Sequence, residues 1–199
     1  MRFVPAIFGL MLAACSTLPT SPPAPTPPPA QYQAHLAQIN KIHFFGMHGR
    51  IAILTEAKGF SGGLHWHHHG DGDDLDFYSP LGTQLGKLTR DAGGVTLTTS
   101  NQNSLHAADA ESLTQKALGW SLPMNGLTDW ILGRPTQGPS EVLTWDKNGN
   151  ITHMKQQSWD IQYSDYAAFD GVSLPKKIIL KNQKLDLKLA IETWQTGTD

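Results

Sequence analysis

The chain has 199 residues and a formal net charge of −2, from 15 Lys and Arg against 17 Asp and Glu. That balance implies no basic face of the kind nucleic acid requires. No Gly-rich loop ending in Gly-Lys-Ser/Thr occurs either, which argues against nucleotide-driven work.

Arg2 precedes a short apolar run ending in Leu12-Ala13-Ala14-Cys15, the pattern of a secretory signal with a small-residue cleavage site. With the cysteine directly after that site, the stretch resembles a bacterial lipobox. The resemblance implies that Cys15 becomes the first residue of the mature protein and carries acyl chains, as a membrane anchor rather than a disulfide partner or catalytic thiol. An ordinary signal peptide with a chance cysteine is the plainer alternative. After the signal no apolar run approaches the roughly 20 residues that span a bilayer, so the domain is expected to hang from its lipid outside the cytoplasm. From Thr17 to Ala30 the chain is nearly all Pro, Thr, Ser and Ala. Proline fixes φ and withholds a donor, so this stretch predicts an extended polyproline spacer of about 40 Å at about 3.1 Å per residue. Residues 1–14 are thus read as signal, 15–30 as lipidated cysteine and spacer, and 31–199 as one domain with chain enough to bury a core.

Tyr32, Leu36, Ile39 and Ile42 recur at helical spacing and predict an amphipathic helix over 32–41. From His43 the period changes to two, with Phe45, Met47, Gly49, Ile51 and Ile53 on one face of a long strand. Leu64 and Trp66 alternate with histidines in the next strand, which turns at Gly70-Asp71-Gly72 into Leu75, Phe77 and Ser79. Pro80-Leu81-Gly82 forms a tip, and strands follow over 84–89, 95–99 and 104–107, an antiparallel meander. The pattern then breaks. Asp109 suits an N-cap, Leu113 and Ala117 share a helical face, and Gly119 suits the stop. A second short helix follows Pro123, capped by Asn125, with Leu127, Trp130 and Ile131 on one side and Gly133 closing it. Strands resume over 142–145, 151–156 and 159–163, and 174–180 with 185–194 make a last hairpin about Asn182-Gln183. About eleven strands and three helices exceed the usual strand share. Such a sheet must curl or close, and the helices fit best against its open side, over a packed core or a cavity.

Gly49-Arg50, Pro80-Leu81-Gly82, Asp109-Ala110-Glu111, Leu122-Pro123, Leu127, Trp130-Ile131-Leu132-Gly133, Trp159, Tyr163, Leu174-Pro175, Leu187-Lys188-Leu189 and Trp194 stand in this order across the domain. Together with the lipobox, this order and spacing resemble the LolB family of outer-membrane lipoprotein receptors. One departure is Phe45, where that family tends to place a Trp four residues before the Gly-Arg. The resemblance implies a mainly β fold: a single curved antiparallel sheet, an unclosed barrel, with three helices as a lid over an apolar cavity. It implies a receptor that accepts acylated lipoproteins from a LolA-like periplasmic carrier and inserts them into the outer membrane without nucleotide. No catalysis, metal or cofactor is implied beyond the covalent lipid on Cys15, and the partners are carrier, cargo and outer-membrane lipid, for a monomer facing the periplasm. Ser16, where an Asp would favour inner-membrane retention in many Gram-negative bacteria, is compatible with the outer membrane.

Large aromatics such as Phe45, Trp66, Phe77, Trp130, Trp145, Trp159 and Trp194 either fill a core or line an acyl cavity. The resemblance points to Trp130 and Ile131 as lid residues over the cavity, and Phe45 and Trp66 stand beside them as candidate cavity residues. It also points to Leu81, at a turn tip, as an exposed side chain that helps put cargo into the bilayer. His65, His67 and His69, with His68 beside them and Asp71, Asp73, Asp74 and Asp76 just after, form the most conspicuous polar cluster. Same-face strand neighbours lie roughly 6.5 Å apart and seldom converge on one ion without a second segment, so a solvated outer face opposite Leu64 and Trp66 is expected. Arg50 reads equally as an outward charge or as a rim residue. No Ser, Cys or carboxylate pair sits in a recognisable nucleophile or acid/base setting. Two other classes stay open: a periplasm-facing lipoprotein that binds lipid or another hydrophobic ligand without transferring it, and a metal-dependent enzyme built on the histidines.

Overall fold

The computed structural model describes residues 28–197, so the signal, Cys15, Ser16 and most of the spacer lie outside them. The chain opens with α1 (Ala30–Ile39), then β1 (Phe44–Leu54), β2 (Gly59–His69), β3 (Gly72–Tyr78), β4 (Gln84–Asp91), β5 (Gly94–Thr99) and β6 (Ser104–Ala107). Two helices follow, α2 (Ala110–Leu118) and α3 (Met124–Trp130). The second run is β7 (Val142–Trp145), β8 (Ile151–Gln156), β9 (Trp159–Phe169), β10 (Val172–Lys181) and β11 (Asp186–Gly197).

All eleven strands form one sheet in the order β6-β5-β4-β3-β2-β1-β11-β10-β9-β8-β7. Every pairing is antiparallel. Two meanders are therefore stitched together by the first and last strands. The outer edges, β6 and β7, are consecutive in the chain but unpaired with each other, and α2 and α3 are the segment between them. The barrel is unclosed, as expected, and its gap is where the helices lie.

Period-two burial builds the inner layer: Phe45, Met47, Ile51 and Ile53 of β1 face Leu64 and Trp66 of β2 and Leu187, Leu189, Ile191 and Trp194 of β11. At the β1–β11 seam the register shifts between His48 and Gly49, where β11 carries an extra residue. A Cβ at Gly49 would lie 2.4 Å from the carbonyl oxygen of Ala190, so only glycine lets the bulged strand approach there. Pairing of β10 to β11 stops at Lys177, beyond which Pro175 has no N–H to give. The indole of Trp194 bridges the split by donating to the Pro175 carbonyl at 3.2 Å.

The helices begin and end for local reasons. Asp109 caps α2 by accepting from the Ser112 backbone at 2.7 Å, which draws its carboxyl below the usual range. Gly119 ends the helix at φ +86°. The buried face of α2 is Ala110, Leu113 and Thr114, while Ala117 is exposed, because the apolar stripe follows i, i+3, i+4 and not i+7 here. At α3 the expected cap Asn125 lies inside the helix: Pro123 is the flanking residue, and its fixed φ takes the place of a side-chain cap. On α1, Tyr32, His35 and Ile39 are buried with Leu36 at the margin, and Tyr32 stacks on Trp145 at 5.2 Å.

Candidate functional site

An apolar cavity of about 240 Å³ opens at one end of the half barrel. Its sheet wall comes from Ile53 on β1, Phe60 on β2, Phe77 on β3, Leu85 on β4 and Leu97 on β5, and its cover from Leu118 and Trp120 at the end of α2. Phe60 and Phe77 meet edge to face at 6.4 Å. Lys58, Gly59, Gly86 and Thr99 complete the rim. Such a wall gives up little polar solvation when an aliphatic chain enters, and each buried CH₂ contributes about 0.8 kcal/mol.

Phe77, one of the aromatics open to either a core or a cavity role, borders this cavity, whereas the four residues singled out for it, Phe45, Trp66, Trp130 and Ile131, do not. Phe45 packs edge-on against Trp66 at 5.4 Å and Trp194 at 5.6 Å, deep in the inner layer. Trp130 and Ile131 are 1% and 0% exposed. Trp130 is tied at both ends: its indole donates to Gln156 Oε1 at 2.9 Å, and its carbonyl accepts from the Tyr163 hydroxyl at 2.9 Å. Arg134 adds a clamp, donating to Asp129 Oδ1 at 2.6 Å and to the Ile39 and Ile42 carbonyls at 3.0 and 3.3 Å. α3 is thus fastened to β8, β9 and α1, and α2 is the helix whose end covers the cavity. The missed residues carried a signal. Phe60 is in phase with Leu64 and Trp66, and Trp120 follows a helix-ending glycine, where an apolar residue commonly folds back onto the last turn.

Leu81 stands at the β3–β4 turn, 96% exposed. Ser79 closes that turn, its hydroxyl accepting from Thr83 N at 3.1 Å and its carbonyl from Gly82 N at 2.9 Å. The strands on either side carry Phe77 and Leu85 into the cavity wall, so the tip lies at the cavity mouth. Leu54, Leu85 and Leu105, also exposed, belong to the same end of the sheet.

The two ends differ in charge. The strand-to-strand turns at the cavity end hold only Glu56, Lys58 and Lys184 as ionisable groups, with Lys181 and Asp186 paired to each other at the edge of one, since the β3–β4, β5–β6 and β8–β9 turns have none. At the far end each strand-to-strand turn carries an aspartate in it or at its edge, Asp71, Asp91, Asp146 and Asp170, and Asp109 follows β6; the lysines there are Lys147 and, in the α1–β1 link, Lys41. The chain enters its domain at this acidic end, because Gly149 of the β7–β8 turn presses so closely on Gln31 that a Cβ would lie 2.4 Å away.

The histidine strand divides between two faces. His65 and His67 point outward, as expected, and His48 on β1 stacks on His65 at 4.1 Å between rings. Burial and the neighbouring imidazoles lower the His48 pKa, against an opposing pull from Glu192. His68 and Asp73 instead face inward, in phase with Trp66 and Leu75, which corrects their placement on the solvated face. Among the described residues no group of three or more His, Cys, Asp or Glu is arranged to hold a metal ion. Arg50 is an exposed outward charge.

An unclosed antiparallel barrel with helices across its gap and an apolar cavity at one mouth defines a class of half barrels. The solved structure of a DUF1329 family protein from Desulfovibrio piger shares the fold, at a TM-score of 0.50 and 10% identity over 84% of this chain and 92% of that one. The particular family comes from sequence: the family described as outer membrane lipoprotein LolB matches residues 43–194. Outer-membrane lipoprotein LolB of Nitrosococcus oceani is 34% identical over 190 residues, 94% of each chain. That of Pseudomonas putida strain F1 is 32% identical over 167 residues, 84% of this chain and 82% of its own. The chain belongs to the LolB family.

Proposed function

We propose that this chain is an outer-membrane lipoprotein receptor, anchored through Cys15 and facing the periplasm, that accepts acylated lipoproteins from a LolA-like carrier and inserts them into the outer membrane. The observation that carries this reading is the coincidence, at one end of the barrel, of the apolar cavity and the exposed Leu81. Acyl chains leaving the cavity at that mouth meet an apolar side chain worth roughly 2 kcal/mol on entering a bilayer, too little to anchor the domain but enough to bias the tip toward it. Acidic turns at the opposite end favour the same orientation, since they are repelled by an anionic lipid surface. A β1 of 11 residues spans about 37 Å, close to the expected reach of the spacer that joins the domain at its acidic end.

The work makes and breaks no bond. Chains held more weakly by the carrier than by the receptor, and more weakly by the receptor than by the bilayer, move downhill, with about 1.4 kcal/mol per step giving a tenfold bias. The cavity is smaller than the roughly 300–1,000 Å³ of usual ligand sites, so movement of α2 and Trp120 is the route by which it enlarges for several chains.

The test is transfer. Carrier loaded with a labelled lipoprotein is mixed with the receptor and liposomes, and label should pass first to the receptor and then to the vesicles. A protein that takes up free hydrophobic probe but never the carrier-bound lipoprotein would be a storage or sensing lipoprotein instead.

A further inference from the structure

One charged side chain reaches the rim of the otherwise apolar cavity. Lys58 ends the β1–β2 turn, exposed, and its ammonium lies beside the helix-closing Gly119, where a Cβ would come 3.6 Å from Nζ. The carbonyl end of α2 carries the helix's partial negative charge, which favours a cation there and holds the ammonium at the lip. Lys87, Lys155, Lys177 and Lys181 each pair with an aspartate, whereas among the described residues no carboxylate pairs with Lys58. Below it the wall is Phe60, Phe77, Leu97, Leu118 and Trp120.

A cavity apolar in its depth and cationic at its lip complements a chain with an anionic head. We propose that this site binds free single-chain anionic lipids, a fatty acid or a lysophospholipid, with the chain against the aromatic wall and the headgroup on Lys58 Nζ. The amide- and ester-linked chains of an acylated cysteine bring no negative charge to Lys58. The two ligand classes therefore share the wall and differ at the lip, so a free anionic lipid competes with cargo. A volume of about 240 Å³ suits part of one chain better than several. This inference rests on the reading of the cavity as an acyl site.

The experiment uses the mature chain carrying Cys15→Ala, so that no anchor of its own occupies the cavity, and displacement of a hydrophobic fluorescent probe by hexadecanoate, hexadecanol or palmitoyl lysophosphatidylglycerol. The wild type should prefer hexadecanoate over hexadecanol. In Lys58→Gln that preference should fall about fivefold, the upper range for one solvent-accessible ion pair, and further in Lys58→Glu. A matching loss for the lysophospholipid extends the site to phosphate heads, and a loss for hexadecanoate alone assigns it to carboxylates. An unchanged preference in both variants, with circular dichroism showing the fold retained, overturns the proposal while leaving the acyl site standing. Failure of both C16 ligands to displace the probe from the wild type would overturn the acyl-site reading as well.

Discussion

The indole of Trp66 donates to Oδ1 of Asp73 at 2.7 Å, and that carboxylate is 0% exposed. His68 Nδ1 lies 2.9 Å from the same oxygen, while Arg90 pairs with Oδ2 through Nε at 2.7 Å and through Nη2. A buried charge with this many partners stays where it is because each lone pair is met, and removing it strands a guanidinium and an indole N–H. Asp73→Ala is therefore expected to cost about 3–5 kcal/mol, read as a lowered urea midpoint. Asp73→Leu combined with Arg90→Met should recover part of the loss, since it removes the orphan charge but leaves the Trp66 indole N–H unpaired. Full stability in Asp73→Ala alone would show that the cluster contributes nothing.

His35 sets an acid limit on the fold. Its side chain is buried on α1, Nε2 has no partner among the described residues, and burial lowers its pKa below that of an ordinary histidine against an opposing pull from Asp146. The unfolded chain takes up this proton first. Stability from His35 is therefore whole above about pH 6.5, is lost as pH falls, and stops falling below the lowered folded-state pKa. His35→Leu should flatten the melting temperature between pH 7 and pH 5 relative to the wild type. Equal slopes in the two proteins would assign the acid sensitivity elsewhere.

Much of this architecture was legible in single residues. Period-two alternation from Phe45 to Ile53 read directly as a strand because one face of an antiparallel sheet is dry, and Asp109 and Gly119 bounded a helix because cap chemistry is local. The site was less legible. Trp130 and Ile131 sit on an apolar helix face, but whether such a face covers a cavity or a packed core depends on how far the helix is fastened down. The hydrogen bonds to Gln156 and Tyr163 that decide this join residues 26 and 33 positions away. Lys58 and Trp120 come together only because α2 runs from the acidic end to the cavity mouth, a tertiary crossing that no local pattern encodes. Asp73 did carry a signal, its phase with Leu75 and Phe77, which the surrounding aspartates masked.

The anchor is testable by itself. Leu12-Ala13-Ala14-Cys15 leads to the expectation that metabolic labelling with a fatty acid marks the wild type and not Cys15→Ser; labelling that survives the substitution would remove the anchor. Deleting two or three residues between Thr17 and Pro29 should leave transfer intact, because a spacer supplies reach. Deleting most of them should impair delivery to the membrane while the isolated protein still takes up probe, since the domain is joined at the end opposite its cavity.

Leu81 is expected to separate acceptance from release. Its 96% exposure means that substitution removes no packing, so Leu81→Glu should fold with stability within about 0.5 kcal/mol of the wild type. The cavity wall is untouched, and label should still pass from carrier to receptor at the wild-type rate. Release is different, because the tip stands at the mouth from which chains leave, and a carboxylate there resists entry into an apolar phase and is repelled by anionic lipid. Transfer from the loaded receptor to liposomes should slow about tenfold or more, given roughly 2 kcal/mol of lost insertion energy. Leu81→Phe, apolar and equally exposed, should transfer as the wild type does. A Leu81→Glu protein that delivers cargo at the wild-type rate would deny the tip any part in insertion, and one that unfolds would mean that Leu81 packs in solution against something it does not touch here.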